Sequence, residues 1–272
     1  MTWHYPAATA YCGPPPTPDS VTWNLDPILI GGLLAVAGAY WYGSRQLERT
    51  GPKLGFAEKA GFYAGWLIAA LALVSPLCPL SVSLFAARVG QHMILTLLAA
   101  PLLVVGRTPE ALAAGFGRAA PSRNRTYPGP LAASAGFAVL LWFWHAPVPY
   151  AATFSSTAVY WSMHLSVFGA ALWLWHGLLA GAGKSVITKL AGGFASSAQM
   201  GLLGALITLA PRAVYAPHAL TTAAWGLTPL EDQQLGGIVM WIPGCLIFLA
   251  FAMLALTPAL TETKPPQAYR SV

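Results

Sequence analysis

Seven stretches of this chain are rich in Leu, Ala and Gly, nearly free of charge, and close to the length of a membrane crossing. They run approximately Leu25–Tyr42, Ala57–Ser75, Val89–Gly106, Leu131–Pro147, Val159–Ala180, Leu190–Pro211 and Leu235–Thr257. About 20 mainly apolar residues cross a bilayer as one helix. Charged residues are 8% of the 272, against about 25% in a soluble domain. A water-soluble fold of this length has no way to bury that much apolar surface. Within lipid only helices or closed barrels satisfy the backbone, and the period-2 alternation of barrel strands is absent. The expected fold is all-α: an integral membrane bundle of seven transmembrane helices.

Basic residues orient the bundle. Arg45, Arg49, Lys53 and Lys59 flank the first loop; Arg107, Arg118, Arg123 and Arg125 lie in the third. Lys184 and Lys189 fill the fifth, and Lys264 and Arg270 the tail, leaving Arg88 and Arg212 opposite, a split of 12 against 2. Positive charge collects in the cytoplasm, so the N-terminus is expected outside and the C-terminus inside. Three parts result: an extracytoplasmic tail over residues 1–24, a membrane domain over 25–257, and a cytoplasmic tail over 258–272. The pI near 9.4 follows from these loops, so the bilayer is the expected partner and nucleic acid is not. The first residues carry neither a basic n-region nor an apolar run, which reads against a cleavable signal peptide. The loop Thr108–Pro130, dominated by Pro, Gly and Arg, is expected to hold no separate domain. Three cysteines, Cys12, Cys78 and Cys245, without a C-x-x-C, make no paired framework.

Four of the six histidines, His92, His145, His164 and His176, fall inside these apolar stretches. Ionisable groups at membrane depth are costly and mark functional sites, and imidazole is the commonest protein metal ligand. At about 1.5 Å of rise per residue, His92, His145 and His164 share the outer leaflet with Met240 of the last span. Cys78, between Pro76 and Pro79, joins them at the outer end of the second. Imidazole with soft Met and Cys donors suits copper, Cu(I) above all, and zinc accepts the same residues. Helix rotation is not written in the sequence, so each histidine keeps a structural reading too; His145 beside Trp142 and Trp144 also reads as an interface residue. His176 lies about 18 Å along the helix from His164, too far for one ion. It is a structural or lipid-interface residue, or a second, inner station. His218, Asp232 and Gln233, in or beside the last outer loop, form an expected mouth or partner surface. His4 and Cys12 in the tail are further metal candidates.

Several functions drop out. A retinal protein needs a Schiff-base lysine, and no span core contains one. G-x-S-x-G, H-E-x-x-H and P-loop motifs are missing, and span cores lack the carboxylates of a proton relay. Two rivals remain: a haem-binding electron carrier, with two histidines as axial ligands and Arg88 on a propionate, and a copper-conducting transporter with His176 as exit station.

The order of motifs resembles a known family. Ala87-Arg88-Val89-Gly90-Gln91-His92-Met93 running on to Ala100-Pro101-Leu102-Leu103, then Trp144-His145-Ala146-Pro147 with Tyr150, Met163-His164-Leu165 and Trp175-His176 follow in sequence. Asp232-Gln233-Gln234-Leu235-Gly236-Gly237 and Met240-Trp241-Ile242-Pro243-Gly244 close the series. Together they are similar to the multi-span CtaG family of cytochrome c oxidase assembly factors, a family distinct from the single-span copper chaperones that share its name. The resemblance covers roughly Asp26 to Leu256. It implies a multi-pass protein of the bacterial inner membrane, not an enzyme, that works with cytochrome c oxidase subunits. Copper delivery is its suspected role, with periplasmic copper chaperones as further partners. The expected ligands are His92, His145 and His164, then Met240 and Cys78.

Overall fold

The computed structural model describes residues 10–50, 53–118, 129–180 and 185–261. His4, Arg123, Arg125, Lys184 and the last eleven residues of the C-terminal tail lie outside them. Eleven α-helices are present among the described residues, with no strand. All seven apolar stretches are helical: α1 Pro27–Thr50, α2 Phe56–Val74, α4 Phe85–Met93 continuing to α5 Ala100–Val105, α7 Pro130–His145, α9 Thr157–Trp175, α10 Val186–Thr208 and α11 Pro229–Thr261. Short helices fill the connections: α3 Leu77–Ser83, α6 Thr108–Gly115 and α8 Pro147–Ala152.

Among the described residues, five helices are long and apolar enough to cross a membrane, counting Phe85–Val105 as one; α7, equally apolar, has 16 residues. α9 has the length, but Ser162, His164, Ser166 and its Trp and Tyr residues dilute its hydropathy. Even so, every one of the seven turns a large apolar side chain outward: Leu34, Leu67, Leu98, Val139, Leu165, Leu206 and Leu249. A surface this apolar on all sides suits lipid and not water.

Local chemistry sets the helix ends. Glu58 accepts from the Gly55 amide at 2.7 Å and starts α2, while Ser156 and Ser185 accept from Val159 and Thr188 to start α9 and α10. Pro130 opens α7, and Pro147, which tolerates no helical residue before it, separates α7 from α8. The third span is interrupted. Pro101 has no amide to return to the preceding turn, and the helix widens into a π turn over Ile94–Ala99 just upstream. The Trp175 indole donates to the Thr96 carbonyl there, at 2.8 Å, and so satisfies a backbone group that lipid would leave bare.

Packing centres on α10 and α11, with α7 against α10, α4 against α11, and α9 between α7 and α5. Glycine brings α10 and α11 together: a Cβ on Gly204 would lie 2.9 Å from the Gly237 carbonyl oxygen. α6 lies against α1, so the long connection after Thr108 begins with a docked helix.

One expectation fails outright. Cys12 is disulfide-bonded to Cys78, fastening the N-terminal tail to α3. The Tyr11 ring stacks on Tyr160 at 4.9 Å, its hydroxyl donates to Asp26 at 2.6 Å, and Ser83 donates to the Pro16 carbonyl. The pairing joins residues 66 apart in sequence, and neither spacing nor an odd cysteine count announces it.

A histidine pocket between α4, α7, α8 and α9

A pocket opens where these four helices meet. Arg88, Val89 and His92 line it from α4, Leu141, Trp144 and His145 from α7, Tyr150 and Thr153 from the α8 turn, and Met163 and Val167 from α9.

The three expected histidines are held in the same way. Nδ1 of His92 lies 2.8 Å from the Arg88 carbonyl, Nδ1 of His145 is 2.7 Å from that of Leu141, and Nδ1 of His164 is 3.1 Å from that of Tyr160. Each partner sits four residues earlier on the same helix. A carbonyl only accepts, so each Nδ1 carries the proton and, in the neutral ring, each Nε2 keeps a lone pair. Metal-binding histidines are commonly fixed through the second nitrogen in this manner. The His92 and His164 rings lie 4.8 Å apart, bringing the third and fifth expected spans together. His164 Nε2 is buried and has no hydrogen-bond partner, whereas His92 Nε2 faces the Met163 sulfur at 3.0 Å.

That thioether was not on the expected list; Met240 was. Met240 lies on α11 in the main core and does not line the pocket. Met163 immediately precedes His164 and stands with it in the Met163-His164-Leu165 motif, which is the signal that could have found it. Cys78 also leaves the set in this oxidised form, since a disulfide sulfur is not the thiolate that binds metal. No group of three His, Cys, Asp or Glu side chains stands close enough to hold a metal ion among the described residues. His145 shares the pocket with His92, while His164 pairs with the His92 ring but is not among the residues that line it. His176 begins a second π turn at the far end of α9, apart from all three.

The expected mouth residues are turned inward. Asp232 is fully buried and its two oxygens accept from the Phe85 and Ala86 amides at 2.7 and 3.0 Å, capping α4. Gln233 accepts from the Val214 amide and donates to the Ile207 carbonyl, stapling the loop between α10 and α11. His218, 1% exposed, sits 2.6 Å from the Tyr150 hydroxyl, and burial pushes its imidazole down to about 3. They look like surface chemistry in sequence because their partners are amides, carbonyls and a tyrosine hydroxyl of remote segments.

Arg88 completes the pocket. It is 2% exposed, donates from Nη2 to the Thr153 hydroxyl at 2.6 Å, and lies over the rings of Phe154, Tyr150 and Tyr160.

Comparison with curated proteins and with solved structures gives no match. A family model does match, over residues 38–261, from the middle of α1 to the end of α11, and so contains the whole pocket. The chain belongs to the cytochrome c oxidase caa3 assembly factor family.

Proposed function

We propose that the protein takes up copper as Cu(I) in the histidine pocket and passes it to a cytochrome c oxidase during assembly. The family implies association with the oxidase, and a role in assembly and not in catalysis. The copper reading rests on one observation: His92 and His164 are both locked through Nδ1, 4.8 Å apart, with a thioether at the Nε2 of one and an orphaned Nε2 on the other. A buried nitrogen without a partner is costly, and soft thioether with imidazole is a Cu(I) donor set. Copper is cargo here. His145 would receive or release it at the pocket side, and periplasmic copper chaperones would bring it. A porphyrin between His92 and His164 has no room at that ring separation, which disfavours the haem carrier.

We read all seven apolar helices as spans of the bacterial inner membrane, with the N-terminus outside. Charge distribution supports that orientation, as does the disulfide, because such bonds persist in oxidising compartments. The pocket then opens toward the periplasmic half.

Purified protein in detergent should bind Cu(I) in competition with a chelator and show a nearly empty visible spectrum. His92→Ala and His164→Ala should each weaken binding at least tenfold. Deleting the gene should lower copper-oxidase activity while oxidase subunits are still made. Stoichiometric haem with a Soret band, or unaltered copper affinity in both variants, would overturn the reading.

A further inference from the structure

Arg88 is the least explained group in the molecule. An arginine side chain is charged at every working pH, and burying a charge is costly unless it is paired. Yet the ion pairs among the described residues are Lys59–Glu48, Arg107–Glu58 and Arg107–Glu110, and none involves Arg88. Asp232 caps α4 one turn earlier, but the Phe85 and Ala86 amides occupy both its oxygens. Three ring faces compensate a fraction of a buried charge. A guanidinium has five N–H donors, and the Thr153 hydroxyl takes one. That hydroxyl is itself oriented, since it donates to the Tyr150 carbonyl at 2.6 Å and so offers Arg88 a lone pair. The charge is therefore held by specific contacts, lines the pocket, and has no counter-ion among the described residues.

We infer that the pocket binds a small monovalent anion, a halide or a carboxylate of formate size, against the Arg88 guanidinium. One unbalanced positive charge sets the valence. Beside His92, His145 and Met163, the remaining wall is largely apolar, from Val89, Leu141, Val167 and the Trp144 ring, which suits a small, weakly hydrated ion better than a polyvalent oxyanion needing many donors. The site stands whether or not a metal binds. Should copper also enter, the anion would offset the repulsion between Arg88 and the metal.

Trp144 provides the readout, because iodide quenches indole fluorescence on contact. Iodide is titrated into metal-free protein, with gluconate holding ionic strength, and the Trp144 component is taken as the difference from Trp144→Phe. Saturable quenching of that component is expected, displaced by chloride or bromide but not by gluconate. Arg88→Gln should abolish saturation and Arg88→Lys should weaken it severalfold. If Arg88→Gln does not fold, halide competition on the wild type decides alone. Linear, non-saturating quenching without chloride competition, or saturation unchanged in Arg88→Gln, overturns the anion site. Copper binding in chloride-free buffer is measured separately, so loss of either proposal leaves the other standing.

Discussion

The Nε2 atom of His92 and the Sδ atom of Met163 face each other at 3.0 Å, joining α4 to α9 through two electron-pair donors. Met163→Leu preserves volume and removes the donor, so Cu(I) affinity should fall at least tenfold with little loss of stability. Met240→Leu should leave affinity within about twofold, its sulfur being in the core. His176→Gln should leave bound copper per protein nearly unchanged. Chelator competition on the three variants checks this; equal losses in Met163→Leu and Met240→Leu would contradict the assignment.

Asp232 ties α11 to the start of α4 through two amides. Asp232→Asn keeps the shape but loses one acceptor and the charge that faces the helix N-terminus. A loss of about 1–3 kcal/mol is expected, read as a lower unfolding midpoint in detergent. Because α4 carries His92 and Arg88, copper affinity should drop as well. A midpoint equal to wild type would show that the cap contributes nothing.

The buried His218 makes stability depend on pH. Its folded value of about 3 lies below the unfolded value of about 6.5. Between the two, the unfolded chain binds a proton that the folded chain refuses, so stability is full above pH 7 and declines as pH falls from about 6.5 toward 3. His218→Gln removes this titration, and its stability should change with pH less steeply, by up to about 1.4 kcal/mol per pH unit. Unfolding midpoints between pH 7.5 and 5 test it, and parallel slopes for the two proteins would refute it.

Oxidised protein should give no reaction of Cys12 or Cys78 with a maleimide until a reductant is added. Cys12→Ser should lower stability by about 2–5 kcal/mol, the usual range for a native disulfide. In spheroplasts, an impermeant maleimide should reach the reduced pair but not an engineered cysteine at Arg118. Labelling at position 118 in intact cells would reverse the topology.

Hydropathy made the helices legible because a lipid environment leaves each span few alternatives. Five of the seven predicted segments match helices to within about a turn; the first, expected to stop at Tyr42, runs on to Thr50 as Arg45 and Arg49 continue the helix, and the last, expected over Leu235–Thr257, spans Pro229–Thr261. The histidines were legible for the same reason, as polar groups standing out in an apolar run. What faces what was not. Met163 and His164 are neighbours about 100° apart around α9, and only packing shows that the first meets His92. The inward turn of Asp232, Gln233 and His218 depends on amides and hydroxyls brought in from α4, α8 and the loop before α11. Cys12 and Cys78 meet because the tail folds back over Tyr160, a contact encoded by Tyr11 stacking and not by any spacing.

On the proposed topology, the Cys12–Cys78 bond also imposes a rule of parity. α1 and α2 both lie in the chain between the two sulfurs. Two points on a chain can be joined on one face of a bilayer only when the segment between them has crossed an even number of times. A nascent chain in which either helix stalled would strand the cysteines on opposite faces, where no oxidant could couple them. On that topology, closing the ring selects against chains in which only one of the first two helices has crossed.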